Sequence, residues 1–428
     1  MRSYSELSAE ELRQECSRLQ EQYDSYRQLG LHLNMSRRKP CPEQLNLSMG
    51  LMDVLSSNVD LHCADGTDCR NYGVLGGIRE AQELLGSIIE CPPESIMIYG
   101  NSALNVMYDQ ISRSMTHGVM GSTPWCKLDK VKFLCPVPGY DRHFAITEYF
   151  GIDMINVPMS DIGPDMDMVE ELVSSDPSIK GIWCVPKYSN PTGITYSEET
   201  VKRFARLKPA APDFRIYWDN AYSVHHLYDD DQDFLIEILA ECQKAGNPDI
   251  VYKFTSTSKI SFPGSGIAAI ATSENNLKDI RRQFRIQTIG HDKVNQLRHV
   301  RYFRNVESVR EHMMKHAAIL RPKFELVERI FDEELSGLGI GTWTKPKGGY
   351  FIAFQSLPGL ARSIISSCKE CGVELTEAGA TYPYHNDPED SSIRIAPTYP
   401  SLEELEKASY IFATVVRLET VRQLLEKR

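Results

Sequence analysis

A lysine, an aspartate and an asparagine each follow a short strand-like run of the sequence, and together they could do amine chemistry. Lys259 is preceded by hydroxyl residues, Asp219 lies three positions before a tyrosine, and Asn190 opens an Asn-Pro-Thr-Gly segment. A lysine withdrawn from water has a lowered pKa, and its neutral amine can form a Schiff base with a carbonyl group. Each residue also has an ordinary explanation, as a solvated lysine, a loop aspartate or a β-turn asparagine. Because the carboxyl ends of parallel strands meet at one edge of a sheet, we expect the three to share a site.

A second group of residues has the chemistry to hold a phosphate. Gly100, Asn101 and Ser102 lie between a strand-like run and a helical stretch, and Ser256 and Ser258 precede the lysine. Free backbone N–H groups at the start of a helix bind phosphate without a dedicated cation. Ser102 can also be interpreted as an ordinary helix N-cap, which is compatible with phosphate binding.

The elements that must position these residues alternate along the chain between about residues 70 and 275. Short β-rich runs separated by helical stretches are typical of an α/β domain with a mainly parallel sheet and helices on both faces. The strand-like runs are 95–99, 132–135, 154–157, 181–185, 215–218, 250–254 and 267–271, and the helical stretches are 104–115, 166–174 and 197–207.

The flanking segments predict a second, smaller lobe. The first thirty residues form one amphipathic helix with a capping box at Ser8 and Glu11, and the basic segment 37–42 is interpreted as a connector. Beyond residue 305, long helical stretches and the strand-like runs 350–354 and 392–396 indicate an α+β lobe. The predicted domains are residues 1–60 (the helix and a segment of the small domain), 61–310 (the large domain) and 311–428 (the C-terminal small domain).

Composition narrows the class of protein. The 428 residues are 42% hydrophobic, which is typical of a globular chain of two or three domains. Lys and Arg number 47 and Asp and Glu number 58, so the net charge of −11 disfavours a nucleic-acid partner. No run approaches the ~18 apolar residues of a membrane span. The 11 cysteines, an odd number without a secretory signal, predict reduced thiols in the cytoplasm, and we interpret Cys368 and Cys371 as core thiols and expect no metal site.

Five motifs in a fixed order carry a family resemblance. They are Y-x-x-x-G-G at Tyr72, N-P-T-G at Asn190, D-x-A-Y at Asp219, S-x-S-K ending at Lys259, and I-R-I-A-P around Arg394. Each is weak alone, but in this order and spacing the chain resembles the fold-type I, pyridoxal-phosphate-dependent aminotransferases over most of residues 45–400. Within them it is most similar to a divergent bacterial subgroup of aspartate aminotransferases. The resemblance implies a mainly parallel, seven-stranded type of sheet in a large cofactor-binding domain, with a smaller α+β domain.

The resemblance also implies roles at the cofactor, pyridoxal 5′-phosphate. Lys259 would form the internal aldimine, a Schiff base with the cofactor aldehyde, and then move the proton from the substrate Cα to the cofactor. Asp219 would pair with the pyridinium nitrogen, so that the ring acts as an electron sink. Asn190 and Tyr222 would donate to the ring phenolate oxygen, and Tyr140 would stack on the ring. The expected catalytic residues are thus Lys259, Asp219 and Tyr222.

The phosphate and the subunit arrangement follow from the same resemblance. It assigns Gly100, Asn101, Ser102, Ser256 and Ser258 to the phosphate. It also places Tyr72 at the phosphate of a neighbouring subunit, which implies a homodimer with shared active sites. One position departs from the family, because its usual P-G-x-R turn reads Pro263-Gly264-Ser265-Gly266 here. The phosphate then depends on hydroxyls, backbone donors or another base.

Substrate-binding residues are implied as well. Arg394 would bind the α-carboxylate, because a guanidinium can do so bidentately and a lysine cannot. Asn190 would lie beside it, and Gly50 belongs to a segment expected to close over the substrate. Lys293 or His291, from the partner subunit, could bind the distal carboxylate of aspartate or glutamate, although a solvated loop is an equal interpretation.

The expected activity is transamination between L-aspartate or L-glutamate and 2-oxoglutarate or oxaloacetate, as in an aspartate transaminase. Another amino donor (alanine or an aromatic amino acid) and lyase chemistry on the same fold remain open alternatives. A ligand-sensing regulator is disfavoured, because only about 40 residues precede the fold and no basic reading helix is present. A dinucleotide site is disfavoured because the glycines at 73–77 do not form G-x-G-x-x-G.

Overall fold

The chain folds into alternating strands and helices around one large sheet, and this computed structural model describes residues 2–427. Met1, where the first predicted domain begins, and Arg428, where the last one ends, lie outside the described residues. The strands are β1 (Leu33–Asn34), β2 (Ile96–Ile98), β3 (Lys132–Val137), β4 (Asp153–Ser160), β5 (Gly163–Pro164), β6 (Ile179–Cys184), β7 (Arg215–Asp219), β8 (Val251–Ser256), β9 (Ala268–Ala271), β10 (Gly341–Trp343), β11 (Ile352–Ser356), β12 (Val373–Glu374) and β13 (Ser392–Ile395). The helices are α1 (Ala9–Gln28), α2 (Pro42–Asn46), α3 (Arg79–Ile89), α4 (Ala103–His117), α5 (Asp141–Tyr149), α6 (Met166–Ser175), α7 (Glu198–Ala205), α8 (Ile238–Lys244), α9 (Glu274–Gln287), α10 (Lys293–Phe303), α11 (Val306–Leu335), α12 (Ala361–Glu370) and α13 (Leu402–Glu426).

The large sheet has the order β2-β9-β8-β7-β6-β3-β4-β5. Neighbours from β8 through β4 run parallel, β9 runs antiparallel to both of its neighbours, and the two-residue β5 is antiparallel at the edge. The mainly parallel α/β sheet predicted from the sequence is therefore confirmed, with β5 as a short eighth strand. Strands β2, β6, β7 and β9 are buried throughout, as expected when helices cover both faces of a sheet.

A smaller α+β lobe surrounds a three-stranded antiparallel sheet of order β10-β11-β13 and a parallel pair, β1 and β12. Helix α1 begins with the predicted capping box and packs with α11 and α13 around this sheet, so the two ends of the chain share one hydrophobic core. The N-terminal helix thus joins the C-terminal lobe, while the exact domain limits remain a prediction. Within residues 2–427, no helix is long and apolar enough to cross a membrane.

The carboxyl ends of the three central parallel strands are adjacent. Cys184 of β6 pairs with Trp218 of β7, and Asp219 pairs with Phe254 of β8. The residues that follow these strands therefore emerge at one edge of the sheet. Asn190, Asp219 and Lys259 follow or end these strands, which is the arrangement that the sequence predicted.

Candidate active site

A cavity of about 220 Å³ lies at this edge of the sheet. Its wall combines a cluster of hydroxyl groups, several aromatic rings and a small set of ionisable side chains. The lining residues are Arg38, Ser102, Ala103, Leu104, Met107, Tyr140, Val185, Asn190, Asp219, Ala221, Tyr222, Ser256, Ser258, Lys259 and Phe351. Eight of the predicted site residues thus meet in one cavity: Ser102, Tyr140, Asn190, Asp219, Tyr222, Ser256, Ser258 and Lys259.

Lys259 lies in a turn directly after β8. The carbonyl of Thr257 accepts hydrogen bonds from the backbone N–H groups of Ile260 and Ser261, which fixes the turn. The Lys259 Nζ lies 5.2 Å from the centre of the Tyr222 ring. Desolvation lowers the pKa of Lys259, the charge of Asp219 opposes this, and the charge of Arg38 adds to the lowering. A lowered pKa favours the neutral amine, which is the nucleophilic form.

Asp219 ends β7 and is held by a histidine that the motif analysis did not single out. Its Oδ2 lies 2.9 Å from His143 Nε2, and the His143 ring stacks on Trp183 with the ring centres 4.5 Å apart. The other carboxylate oxygen, Oδ1, is buried and has no hydrogen-bond partner within residues 2–427. A buried, unpartnered carboxylate oxygen is costly unless a donor completes it. Asp219 is therefore ready to accept from a cationic N–H group in the cavity.

The other end of the cavity carries neutral donors. Ser102 is the N-cap of the fifteen-residue α4, its hydroxyl makes no capping bond, and the first turn of the helix has no acidic residue. Ser256 donates to the Ser258 hydroxyl at 3.0 Å, and Ser258 donates to the Asn101 carbonyl at 3.2 Å. A helix N-terminus with adjacent hydroxyls is a site for an anion such as phosphate. Gly100 precedes the helix, and its carbonyl accepts from the Ala268 N–H at 2.8 Å.

The turn that departs from the family pattern has no room for a side chain at Gly266. A Cβ atom there would lie 2.9 Å from Thr257 Oγ1 and 3.3 Å from the Ser258 backbone nitrogen. The cation that does contact this turn is Arg298, whose Nη2 donates to Ser265 Oγ and to Asn295 Oδ1. Close packing of the turn on the strand-end residues therefore accounts for glycine at this position.

Two tyrosines and an asparagine complete the wall. Tyr222 is buried and stacks on Tyr350 with 5.9 Å between ring centres, and burial raises the pKa of its phenol well above the usual value. Tyr140 is the N-cap of α5 and lies edge-on to His143, and burial raises its pKa to about 12. Both phenols stay protonated and can donate hydrogen bonds. Asn190 Oδ1 accepts from Arg394 at 3.1 Å.

Arg394 lies on β13 of the smaller lobe and contacts Asn190, one of the residues that line the cavity. Its side chain is fully buried, and its Nη1 donates to Asp141 Oδ1 and to Asn190 Oδ1, each at 3.1 Å. Its Nε and Nη2 are buried without a partner in the part of the chain that the structure describes. These two N–H groups form the edge of a guanidinium that binds a carboxylate bidentately. Arg394 therefore keeps one buried guanidinium edge with which it could bind a carboxylate.

The comparisons with known proteins agree with this geometry. Residues 7–428 match the family model described as aspartate amino-transferase. The chain belongs to the aspartate aminotransferase family. This aminotransferase is 46% identical over 401 residues to the aspartate aminotransferase of Corynebacterium glutamicum, covering 94% of this chain and 92% of the relative. A crystal structure of an aspartate transaminase from the same organism superposes with a TM-score of 0.96 at 44% identity, covering 98% and 99% of the two chains. An α-aminoadipate aminotransferase from Thermus thermophilus shares the fold, with a TM-score of 0.73 at 18% identity over 92% of this chain and 94% of that one.

Three of the predicted residues of this aminotransferase lie away from the cavity. Tyr72 is 82% exposed, and Gly50 packs against Tyr302, whose ring would lie 3.0 Å from a Cβ atom at position 50. Lys293 is buried and donates from Nζ to the carbonyl of Gly73 at 2.9 Å. The proposed contacts of Tyr72 and Lys293 with a second subunit, and of Gly50 with substrate, remain predictions.

The motif analysis missed three residues of the aminotransferase site. His143 lies one helical turn after Tyr140, Asp141 is the first residue of α5, and Arg38 belongs to the segment interpreted as a connector. An acidic residue at the start of a helix and a run of three basic residues are visible in the sequence. Their ordinary explanations are a stabilised helix terminus and a solvated segment. Only the fold brings Arg38 to the cavity wall and places His143 and Asp141 against Asp219 and Arg394.

Proposed function

We propose that this aminotransferase uses pyridoxal 5′-phosphate to transfer an amino group between L-aspartate or L-glutamate and 2-oxoglutarate or oxaloacetate. The observation that carries the proposal is the convergence of three unsatisfied groups on one cavity. They are the amine of Lys259 and the free Oδ1 of Asp219, which line the cavity, and the free guanidinium edge of Arg394, which is bonded to the lining residue Asn190. These groups match an aldehyde, a protonated ring nitrogen and an α-carboxylate, respectively.

The residues fit the cofactor on the evidence of the cavity itself. The hydroxyls of Ser102, Ser256 and Ser258 and the start of α4 would hold the phosphate, and Asp219 would accept from the ring nitrogen. The phenol of Tyr222 would donate to the ring oxygen. When bound, pyridoxal phosphate supplies an aldehyde for the amine and a ring that delocalises the charge formed at the substrate Cα.

Each side chain then has a defined task. Asp219, oriented by His143, would accept a hydrogen bond from the ring nitrogen with its free oxygen, and its negative charge would favour the protonated form of that nitrogen. Lys259, with its lowered pKa, takes a proton at the substrate Cα as a general base. Arg394 fixes the α-carboxylate through two parallel hydrogen bonds, which orients the Cα–H bond. The aromatic rings of Tyr140 and Tyr222 exclude water from this proton transfer.

We also propose that the protein works as a cytoplasmic homodimer. Tyr72 is 82% exposed and lies with Gly290, His291 and Lys293 around an open depression of about 490 Å³. A second subunit that covers this depression would receive Tyr72 near its phosphate end, as the family resemblance implies.

The experiment is a set of half-reactions. The purified protein is expected to show the near-ultraviolet absorbance band of a lysine-bound cofactor, and single additions of L-aspartate, L-glutamate, L-alanine and L-phenylalanine are followed at that band. Aspartate and glutamate should convert it with the highest kcat/KM and yield the matching oxo acid. An unchanged band with both amino acids contradicts the acidic-substrate proposal. Release of free ammonia instead would indicate lyase chemistry.

A further inference from the structure

The proposed function leaves the distal carboxylate of aspartate or glutamate without a cation. The sequence suggested Lys293 or His291 of a partner subunit for this role. Within its own chain, the ammonium group of Lys293 is buried and donates to the Gly73 carbonyl, and burial lowers the pKa of His291, which favours its neutral form. Arg394 has one free edge, which the α-carboxylate occupies. A dicarboxylate therefore needs a second cation that lines the same cavity. This inference rests on the proposed function, because it takes the substrate to be a dicarboxylic amino acid.

Arg38 is the second guanidinium at the cavity. It lines the cavity together with Lys259, and its side chain is 35% exposed. Its Nη1 donates to both oxygens of Asp141, at 2.6 and 2.8 Å. Nothing in residues 2–427 accepts from its Nε or Nη2, so these donors are open to a ligand.

Asp141 joins the two arginines into one receptor. Its Oδ1 accepts from Nη1 of Arg38 and also from Nη1 of Arg394. The two guanidinium groups are thus held next to one another by one carboxylate, and each keeps donors that the aspartate does not use. Two forks at a fixed spacing are suited to the two carboxylates of one short dicarboxylic acid.

Arg38 is the one basic residue of its segment that lines the cavity. Arg37 and Lys39 flank Arg38, and both lie over the ring of Tyr399, at 4.8 and 5.1 Å from its centre. Asp141 is the single acidic side chain bonded to this cluster of arginines within the described chain, so a positive charge remains.

We propose that Arg38 binds the distal carboxylate of the dicarboxylic substrate, next to an Arg394 that binds the α-carboxylate. The segment interpreted from the sequence as a connector then determines substrate specificity. The alternative role, in which Arg38 only orients Asp141, predicts equal losses for dicarboxylic and monocarboxylic substrates.

The test compares Arg38→Ala and Arg38→Lys with Arg37→Ala, a neighbouring exposed arginine that does not line the cavity. Half-reactions with L-aspartate and L-alanine are measured on each holoenzyme, and binding of the unreactive acids succinate and propionate is measured by calorimetry. Loss of a charge-assisted pair should lower kcat/KM for aspartate about 100-fold in Arg38→Ala while alanine changes less than about threefold. Succinate binding should weaken in parallel, Arg38→Lys should be intermediate, and Arg37→Ala should resemble the wild type.

Parallel losses for aspartate and alanine, or unchanged succinate binding in Arg38→Ala, would overturn the assignment while leaving the transaminase proposal intact. Failure of the proposed function has a different signature. In that case the wild-type protein itself does not react with aspartate, whatever the variants do.

Discussion

The two ends of the cavity hold charge in different ways. The end predicted to take the phosphate consists of neutral groups, namely the start of α4 and the hydroxyls of Ser256 and Ser258. The end predicted to take the substrate consists of two guanidiniums, Arg38 and Arg394, bridged by Asp141. The first end is organised by backbone geometry, whereas the second depends on an ion pair that keeps a buried charge tolerable.

This difference has a consequence for specificity. A helix terminus binds any anion of suitable size, so the phosphate end selects little beyond charge. Paired guanidiniums instead impose a spacing on the carboxylates that they bind. We therefore expect changes at the phosphate and ring end to affect all substrates alike, and changes at the arginine end to distinguish among them.

The largest effect is expected for Lys259→Ala. It removes the amine that reacts with the cofactor and the base that moves the proton, so turnover should fall by at least about 10³-fold for every substrate. The absorbance band of the lysine-bound cofactor should disappear, which a spectrum of the purified variant reports directly. Arg38→Ala, at the other end of the cavity, should keep the band. A Lys259→Ala protein that retains turnover with both aspartate and alanine contradicts the catalytic assignment.

The two ends also differ in how far the sequence predicts them. Asp219, Ser256 and Lys259 end or directly follow strands whose runs were recognised within a few residues, so the sheet edge and its polar residues were accessible from local pattern. Arg38 and Asp141 meet across 103 positions of the chain. No periodicity or turn signal encodes such a contact, and a basic segment has the same local sequence whether it is solvated or lines a cavity.

Arg394→Ala is expected to cause the second-largest loss of activity, and this loss should be the same for all amino-acid substrates. The α-carboxylate is common to all amino-acid substrates, so kcat/KM for aspartate and for alanine should both fall about 100-fold, mainly through KM. Steady-state kinetics with both amino acids measure this. Arg394→Lys is the control, because a lysine keeps the charge but not the bidentate geometry, and should recover only part of the loss. A selective loss of aspartate activity would assign Arg394 to the distal carboxylate instead.

A smaller loss is expected for His143→Phe at the ring end. The aromatic ring can still stack on Trp183, but Asp219 loses its hydrogen-bond partner and its fixed orientation. One hydrogen bond to a charged group corresponds to a decrease in kcat of roughly tenfold. The decrease should be equal for aspartate and alanine, and the pH at which the cofactor band titrates should shift. His143→Asn, whose side chain can still donate to the carboxylate, should recover part of the activity. If His143→Phe leaves both the cofactor spectrum and kcat unaltered, His143 does not position Asp219.

At the phosphate end, Gly266→Ala should affect stability without changing substrate preference. The new methyl group would press on Thr257 Oγ1 and the Ser258 nitrogen, and overpacking of this kind costs about 1–3 kcal/mol of unfolding free energy. Gly264→Ala is a matched control, since no atom lies within 4 Å of a Cβ at that position. Thermal and urea unfolding of both variants measure the difference. Equal stability of the two variants would show that the turn relaxes around the added group.

The smallest predicted effect is on the pH dependence of stability, which should differ between the two ends of the cavity. The turn after Lys259 packs on neutral histidines: His316 Nε2 lies 3.2 Å from the Ile260 carbonyl, and desolvation lowers the pKa of His316 to about 3. Since the unfolded chain binds a proton near pH 6.5 and the folded chain does not, stability is full above that pH and is lost as the pH falls, by about 1.4 kcal/mol per histidine at pH 5.5. Removing that group in His316→Gln should reduce the loss of unfolding free energy between pH 7 and 5.5 by about 1.2 kcal/mol, measured by urea titration. Arg38 and Arg394 do not titrate between pH 7 and 5.5, so Arg38→Ala should leave the change of unfolding free energy with pH as it is in the wild type. A different pH dependence in that variant would mean that the two ends are electrostatically coupled.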